Sequence, residues 1–263
     1  MRSSESLPLA YFAACAVLSW LRPLPLSRRL QVTALSVGTA ASILAVAHNA
    51  ASVVRDWAPG VSTLVGYYVS GRFFVAPSRR VEQWLLSWDR RLLGDPSIRF
   101  AAWPRPLLAC LEIVYIGCFL VMPAGFAVLA ARGRSDLADH YWTIVMAAEL
   151  GAFAPLIFIQ TRPPWLVERK PARPDSVVHR AAARMVEHFT IRANTFPSGH
   201  VAGSLAVALA VIDTMPAIGL LFLLLAGTIS VATVVGRYHY VIDGIAGAAL
   251  AVAVWTVAKI AGV

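Results

Sequence analysis

Apolar residues run through this chain in long, nearly charge-free stretches, at 7–26, 30–54, 58–76, 106–131, 136–160, 198–214, 216–235 and 240–261, separated by short breaks bearing Arg and Pro. A helix needs about 20 apolar residues to cross the hydrocarbon core of a bilayer. No water there satisfies the backbone, so runs of this length, too long for barrel strands, must be helical. The pattern predicts an all-α polytopic transmembrane helical bundle of about eight spans. The first span is the weakest, because Arg22, Pro23 and Pro25 truncate it.

Residues 77–105 depart from the pattern. Val81, Trp84, Leu85, Trp88 and Leu92 recur at helical spacing, while Arg79, Arg80, Glu82, Asp89, Arg90 and Arg91 occupy the other face. Such a helix is amphipathic and lies in the membrane interface, or else packs on the bundle from the water side. The longest polar connection among the C-terminal spans is 161–197, which carries Arg162, Arg169, Lys170, Arg173, Arg180, Arg184 and Arg192. A connection of that length in a compact domain is usually functional.

Composition agrees with a membrane protein: 58% of residues are hydrophobic and 14% charged, against about 25% charged in soluble domains. A net charge of +9 would point a soluble protein toward nucleic acid. Here the arginines are scattered between spans, where they meet anionic lipid headgroups, so no nucleic-acid partner is expected. Cys15, Cys110 and Cys118 all fall in apolar stretches and read as small buried hydrophobes. No pair has zinc-like spacing with histidine, so neither a metal site nor a disulfide framework is expected. The N-terminal apolar run reads as a retained span, not a removed signal peptide.

Three polar motifs interrupt this apolar background. Pro197-Ser198-Gly199-His200 precedes the run from Val201, which places it at a helix N-terminus, where free N–H groups and the macrodipole favour an anion. Alone it is also an ordinary turn. His239 stands four residues before Asp243, a spacing that puts both on one helix face and lets the carboxylate hold the imidazole. Alone, such a histidine is also merely interfacial. Thr161-Arg162-Pro163-Pro164 closes a span; its arginine suits a phosphoryl group or simply snorkels. Arg162 ends the fifth span, His200 opens the sixth and His239 opens the eighth. Alternation therefore brings all three to one membrane face.

The ordered pieces TRPP, TFPSGH and RYHYVIDGIAG resemble the three signature motifs of the type 2 phosphatidic acid phosphatase superfamily, in particular its branch of inositol phosphorylceramide synthase-like proteins. The likeness covers roughly residues 58–261. It implies a catalytic membrane domain over 58–263 with a six-helix core, preceded by N-terminal spans over 1–57. It also implies that His239 attacks phosphorus to form a phosphohistidine, that Asp243 orients it, and that His200 serves as acid and then base. Arg162, Ser198, the Gly199 N–H and Arg237 would hold phosphoryl oxygens, with no metal and no cofactor. The substrate would be a lipid phosphate or diphosphate. Two departures stand out: Pro155 occupies the position of the family's lysine, and Thr233 that of its second arginine. Arg237, Arg169, Lys170 and Arg173 are the candidates to replace them. A phosphotransferase, or a catalytically dead lipid-binding or transport protein, remains an alternative to the phosphatase.

Glu112, Glu149 and His48 lie in apolar stretches and read as helix–helix hydrogen-bond partners; His179 and His188 read as loop residues. Trp57, Tyr67, Tyr68, Trp103, Tyr141 and Trp142 are expected in interfacial belts. The catalytic face carries 18 of the 23 Lys and Arg residues, which places it in the cytoplasm by the positive-inside rule. The resemblance points the other way, because bacterial relatives commonly work on the outer face.

Overall fold

The computed structural model describes residues 1–168 and 177–262. Its helices are α1 (Ser3–Leu21), α2 (Leu26–Asn49), α3 (Ser52–Gly71), α4 (Arg79–Leu93), α5 (Pro96–Ala101), α6 (Arg105–Gly117), α7 (Val121–Ala131), α8 (Ala138–Phe153), α9 (Pro164–Val167), α10 (Val177–Phe189), α11 (Gly199–Ile212), α12 (Pro216–Val235) and α13 (Val241–Ala261). A single 3₁₀ turn, Cys118–Leu120, joins α6 to α7. No strand occurs among the described residues; Thr161 and Asn194 form an isolated antiparallel bridge. Helices α1, α2, α12, α13 and the continuous stretch Arg105–Ala131 are long and apolar enough to cross a membrane, and α11 is a shorter apolar helix. The chain is an all-α polytopic integral membrane protein.

Helix α8 is the axis of the bundle. It packs against α1, α3, α11 and α13, and Tyr141, Trp142, Ile144, Val145, Met146 and Ala148 are all buried. A helix that is apolar all round is buried all round. Small residues on α11, among them Gly199, Ala202, Gly203 and Ala206, are likewise buried and let it approach α8 closely. At one end of the bundle Arg2 pairs with Asp56 and Arg55 with Glu5, both at 2.5 Å. There the Ser3 and Ser4 N–H groups donate to Asp139. These contacts tie together the first turns of α1, α3 and α8. The polar motifs gather at the opposite end.

Several sequence expectations need correction. The second break falls at Ala50–Ala51, so Ser52–Trp57 begin α3. The connection 161–197 is not plain loop: it contains α9 and α10, and Val186 of α10 packs with Leu111, Tyr115 and Tyr238. Tyr141 and Trp142 are core residues, not belt residues; their polar tips reach the carbonyls of Met122 and Asp56, which satisfies them without an interface. Cys15 and Cys118 are buried, but Cys110 is exposed. Helix α4 is amphipathic, yet Glu82 and Asp89 are buried on the same face as Leu85 and Leu86, while Trp84 and Leu92 are exposed. The two carboxylates turn inward because arginines of the polar end wait there. Arg169, Lys170, Arg173 and the side chain of His179 lie outside the described residues.

Candidate active site

The site is built from two helix N-termini and the turns that lead into them. Ser198 is the N-cap of α11; its Oγ accepts the Val201 N–H, while the Gly199 N–H donates to Thr195 Oγ1 at 3.3 Å. Asp243 sits in the first turn of α13 and its Oδ2 accepts the N–H of the N-cap Tyr240 at 2.9 Å. The same oxygen lies 3.3 Å from His239 Nδ1. His239 is thus not one helical turn from Asp243 within a helix, as the spacing implied. It belongs to the preceding turn and is reached by the carboxylate from the helix start. The carbonyl of Thr233 fixes that turn, accepting the N–H groups of Tyr238 and His239 at 2.9 and 3.1 Å.

The two N-termini are locked to each other. The Ser198 N–H donates to the Asp243 carbonyl at 2.9 Å. Gly247 permits the approach: a Cβ there would lie 2.6 Å from the Ser198 carbonyl oxygen. The rings of His200 and His239 consequently stand 5.5 Å apart at 83°. His200 is held edge-on by Tyr115 and Phe119, and its Nδ1 lies 3.7 Å from Cys118 Sγ. Tyr115 in turn stacks on Tyr238 at 3.7 Å. Burial pushes the His239 imidazole down to about 3, so it is neutral at physiological pH. With Nδ1–H given to Asp243, the lone pair resides on Nε2.

Gly199, His200 and His239 line a cavity of about 430 Å³ that also touches Trp57, Leu64, Met122 and Trp142. One end therefore carries the two imidazoles, and most of the remaining wall is apolar and suited to a lipid chain. Arg162 and Arg237 flank this cavity but do not line it. The Arg162 Nε and Nη2 each bond a Glu82 carboxylate oxygen at 2.9 Å, and its backbone N–H adds a third bond to that group. Burial raises the Glu82 carboxyl, but the hydrogen bonds and charge of Arg162 outweigh it and hold it below its ordinary range. Arg237 is buried between Asp89 (2.7 Å) and Glu168 (2.6 Å). Among the described residues no group of three or more His, Cys, Asp or Glu converges in a way that could hold a metal ion.

The motif segments are laced by backbone as well. Tyr240 donates its hydroxyl to the Arg162 carbonyl, and the Trp165 N–H bonds the Arg237 carbonyl. The sequence pattern profile of the PAP2 superfamily matches residues 83–257. The chain belongs to the PAP2 superfamily. No curated protein and no solved structure matches it. PAP2 membership supports phosphatase-type enzyme activity on lipid phosphates in general. The matched segment holds all three motifs and most of α4, Asp89 included, while Glu82 stands just before it; neither carboxylate was among the residues expected at the site. Their signal was present in the spacing: positions 82, 85, 86 and 89 share one helix face. What the spacing lacked was any hint of the distant arginines that meet them.

Proposed function

We propose that the protein is an integral-membrane, metal-independent lipid phosphate phosphatase that works through a phosphohistidine. The single observation that carries the reading is the placement of His239, oriented by Asp243 and beside His200 in a cavity with a largely apolar wall. In the first step His239 Nε2 forms a bond to phosphorus while the bond to the lipid oxygen breaks, and His200 gives that oxygen its proton. In the second step His200 takes a proton from water, whose oxygen displaces Nε2 from phosphorus. The positive start of α11 lies beside the phosphoryl group and stabilises its charge.

The Gly199 N–H is already given to Thr195 and shapes this start more than it offers a free donor, whereas Ser198 Oγ accepts the Val201 N–H and keeps its own O–H to donate. Arg162 would reach a phosphoryl oxygen through Nη1, which lies outside its pair with Glu82, and Arg237 would act by holding the turn before His239. Phosphotransfer to an alcohol, as in the inositol phosphorylceramide synthase-like branch, is the second reading; the departures at Pro155 and Thr233 favour it. We place the catalytic end in the cytoplasm on the Lys and Arg distribution. Labelling of a cysteine substituted for Arg90 by an impermeant thiol reagent outside intact cells would overturn that placement.

The test is phosphate release from a panel of lipid phosphates by purified wild type and His239→Ala in EDTA, with and without an added alcohol. Release that depends on His239 supports the phosphatase, and a phosphorylated alcohol without free phosphate supports transfer. Activity that survives His239→Ala, or that EDTA abolishes and Mg²⁺ restores, refutes the proposed chemistry.

A further inference from the structure

Glu149 is the one acidic residue lining the cavity that holds both histidines, among the described residues. It is 5% exposed. Its carboxyl group has no hydrogen bond or ion pair with any described residue, so the helix–helix partner expected from the sequence is not there. The group is nevertheless seated with care. It lies over α11, where a Cβ on Gly203 would come within 1.7 Å of its Oε1 and a Cβ on Gly199 within 3.2 Å of its Oε2. Two glycines thus make room for it beside the helix start that faces the reacting phosphoryl group.

An unpaired carboxyl group removed from water gives up its charge by taking a proton unless a cation compensates it, and an ammonium ligand in the cavity would supply that compensation. The one Lys or Arg on the cavity wall among the described residues is Arg192, which is exposed and bound to Glu187 at 3.3 Å. The same cavity wall is rich in aromatic rings: Phe153, one turn after Glu149, packs on Tyr67 at 5.4 Å, and Tyr115 and Phe119 flank His200. A carboxylate in an aromatic-lined cavity is an environment that binds an ammonium group, by charge and by cation–π attraction.

We propose that Glu149 and its aromatic neighbours form a subsite for an ammonium group tethered to the substrate's phosphate, so that the preferred substrate is a zwitterionic phosphorylated amphiphile. The proposal rests on the phosphoryl site assigned above to His239 and His200, and deepens it by naming the substrate class.

The full chain in maltoside micelles is titrated with dodecylphosphocholine and with dodecyl phosphate, read by the change in total tryptophan fluorescence, to which Trp57, Trp142 and Trp165 contribute from the cavity wall. Wild type is expected to bind the ammonium-bearing probe at least 10-fold more tightly, and Glu149→Gln to bring the two probes within 2-fold while leaving dodecyl phosphate affinity unchanged. His239→Ala is expected to keep the preference. Tetramethylammonium chloride should weaken dodecylphosphocholine binding to wild type more than equal sodium chloride does, which tests the subsite without any variant. Equal affinities in wild type, or a preference that survives Glu149→Gln, overturns the proposal. A preserved preference in a protein with no His239-dependent turnover would defeat the catalytic reading alone.

Discussion

Replacing Arg237 with Ala separates a structural role from a phosphate-binding one. The Arg237 side chain is 3% exposed and its partner Asp89 is 1% exposed, so removing the cation strands a carboxylate away from water. Breaking a buried pair in this way costs about 3–5 kcal/mol. Glu168, at 16% side-chain exposure, recovers some hydration and adds less. Asp89 keeps one compensation, the Val241 N–H at 2.8 Å, which favours the lower half of the range. At roughly 2–4 °C per kcal/mol for a chain of this size, the apparent Tm should fall by about 6–16 °C. Arg237 also sits at φ 62, a left-handed conformation that costs an L-residue about 1–2 kcal/mol. Arg237→Gly should therefore melt a few degrees above Arg237→Ala. Adding Asp89→Asn to the Ala variant removes the stranded charge and should restore part of the loss, a coupling readable in a double-mutant cycle. Thermal unfolding in detergent, followed by tryptophan fluorescence, is the assay. An unchanged Tm in Arg237→Ala together with a raised KM would refute the reasoning and return Arg237 to the phosphate.

Glu82→Gln should lower the Tm at pH 7 by a few degrees, since charge-assisted bonds contribute about 1.5–3 kcal/mol and Arg162, 36% exposed, is partly hydrated. Because the Glu82 pKa is lowered in the folded protein, its contribution is complete above the ordinary glutamate value of about 4.3 and disappears as pH falls through the lowered one. Wild type should thus lose Tm more steeply than the Gln variant below about pH 4, and parallel curves would contradict the pairing. Gly247→Ala places a Cβ 2.6 Å from the Ser198 carbonyl oxygen, a backbone atom that cannot swing aside. It should cost about 1–3 kcal/mol and most of the turnover, whereas Gly227→Ala, with open space around it, should change neither; equal behaviour of the two would deny the α11–α13 lock. Asp243→Asn should keep the fold and slow turnover by about 10²–10⁴-fold, and near wild-type rates would remove it from the mechanism.

The sequence by itself determined the helical membrane bundle, because the bilayer demands long apolar runs and tolerates no other way of satisfying the backbone. It also determined the meeting of Arg162, His200 and His239 at one end, since successive spans must alternate in direction. The N-cap at Ser198 was legible because helix starts are written locally, in the few residues whose N–H groups lack partners. Only the tertiary structure decided which face of α4 turns inward. Glu82 and Asp89 are buried by arginines 80 and 148 residues away, and charge pairing at that separation leaves no trace in helical periodicity. A helix beside a bilayer is also free to expose Trp84, because apolar surface there meets lipid and not water. Glu149 follows the same rule. In the sequence it is one carboxylate in an apolar run; the three-dimensional packing of α8 on two glycines of α11 sets it, unpaired, in the wall of the cavity that holds both histidines.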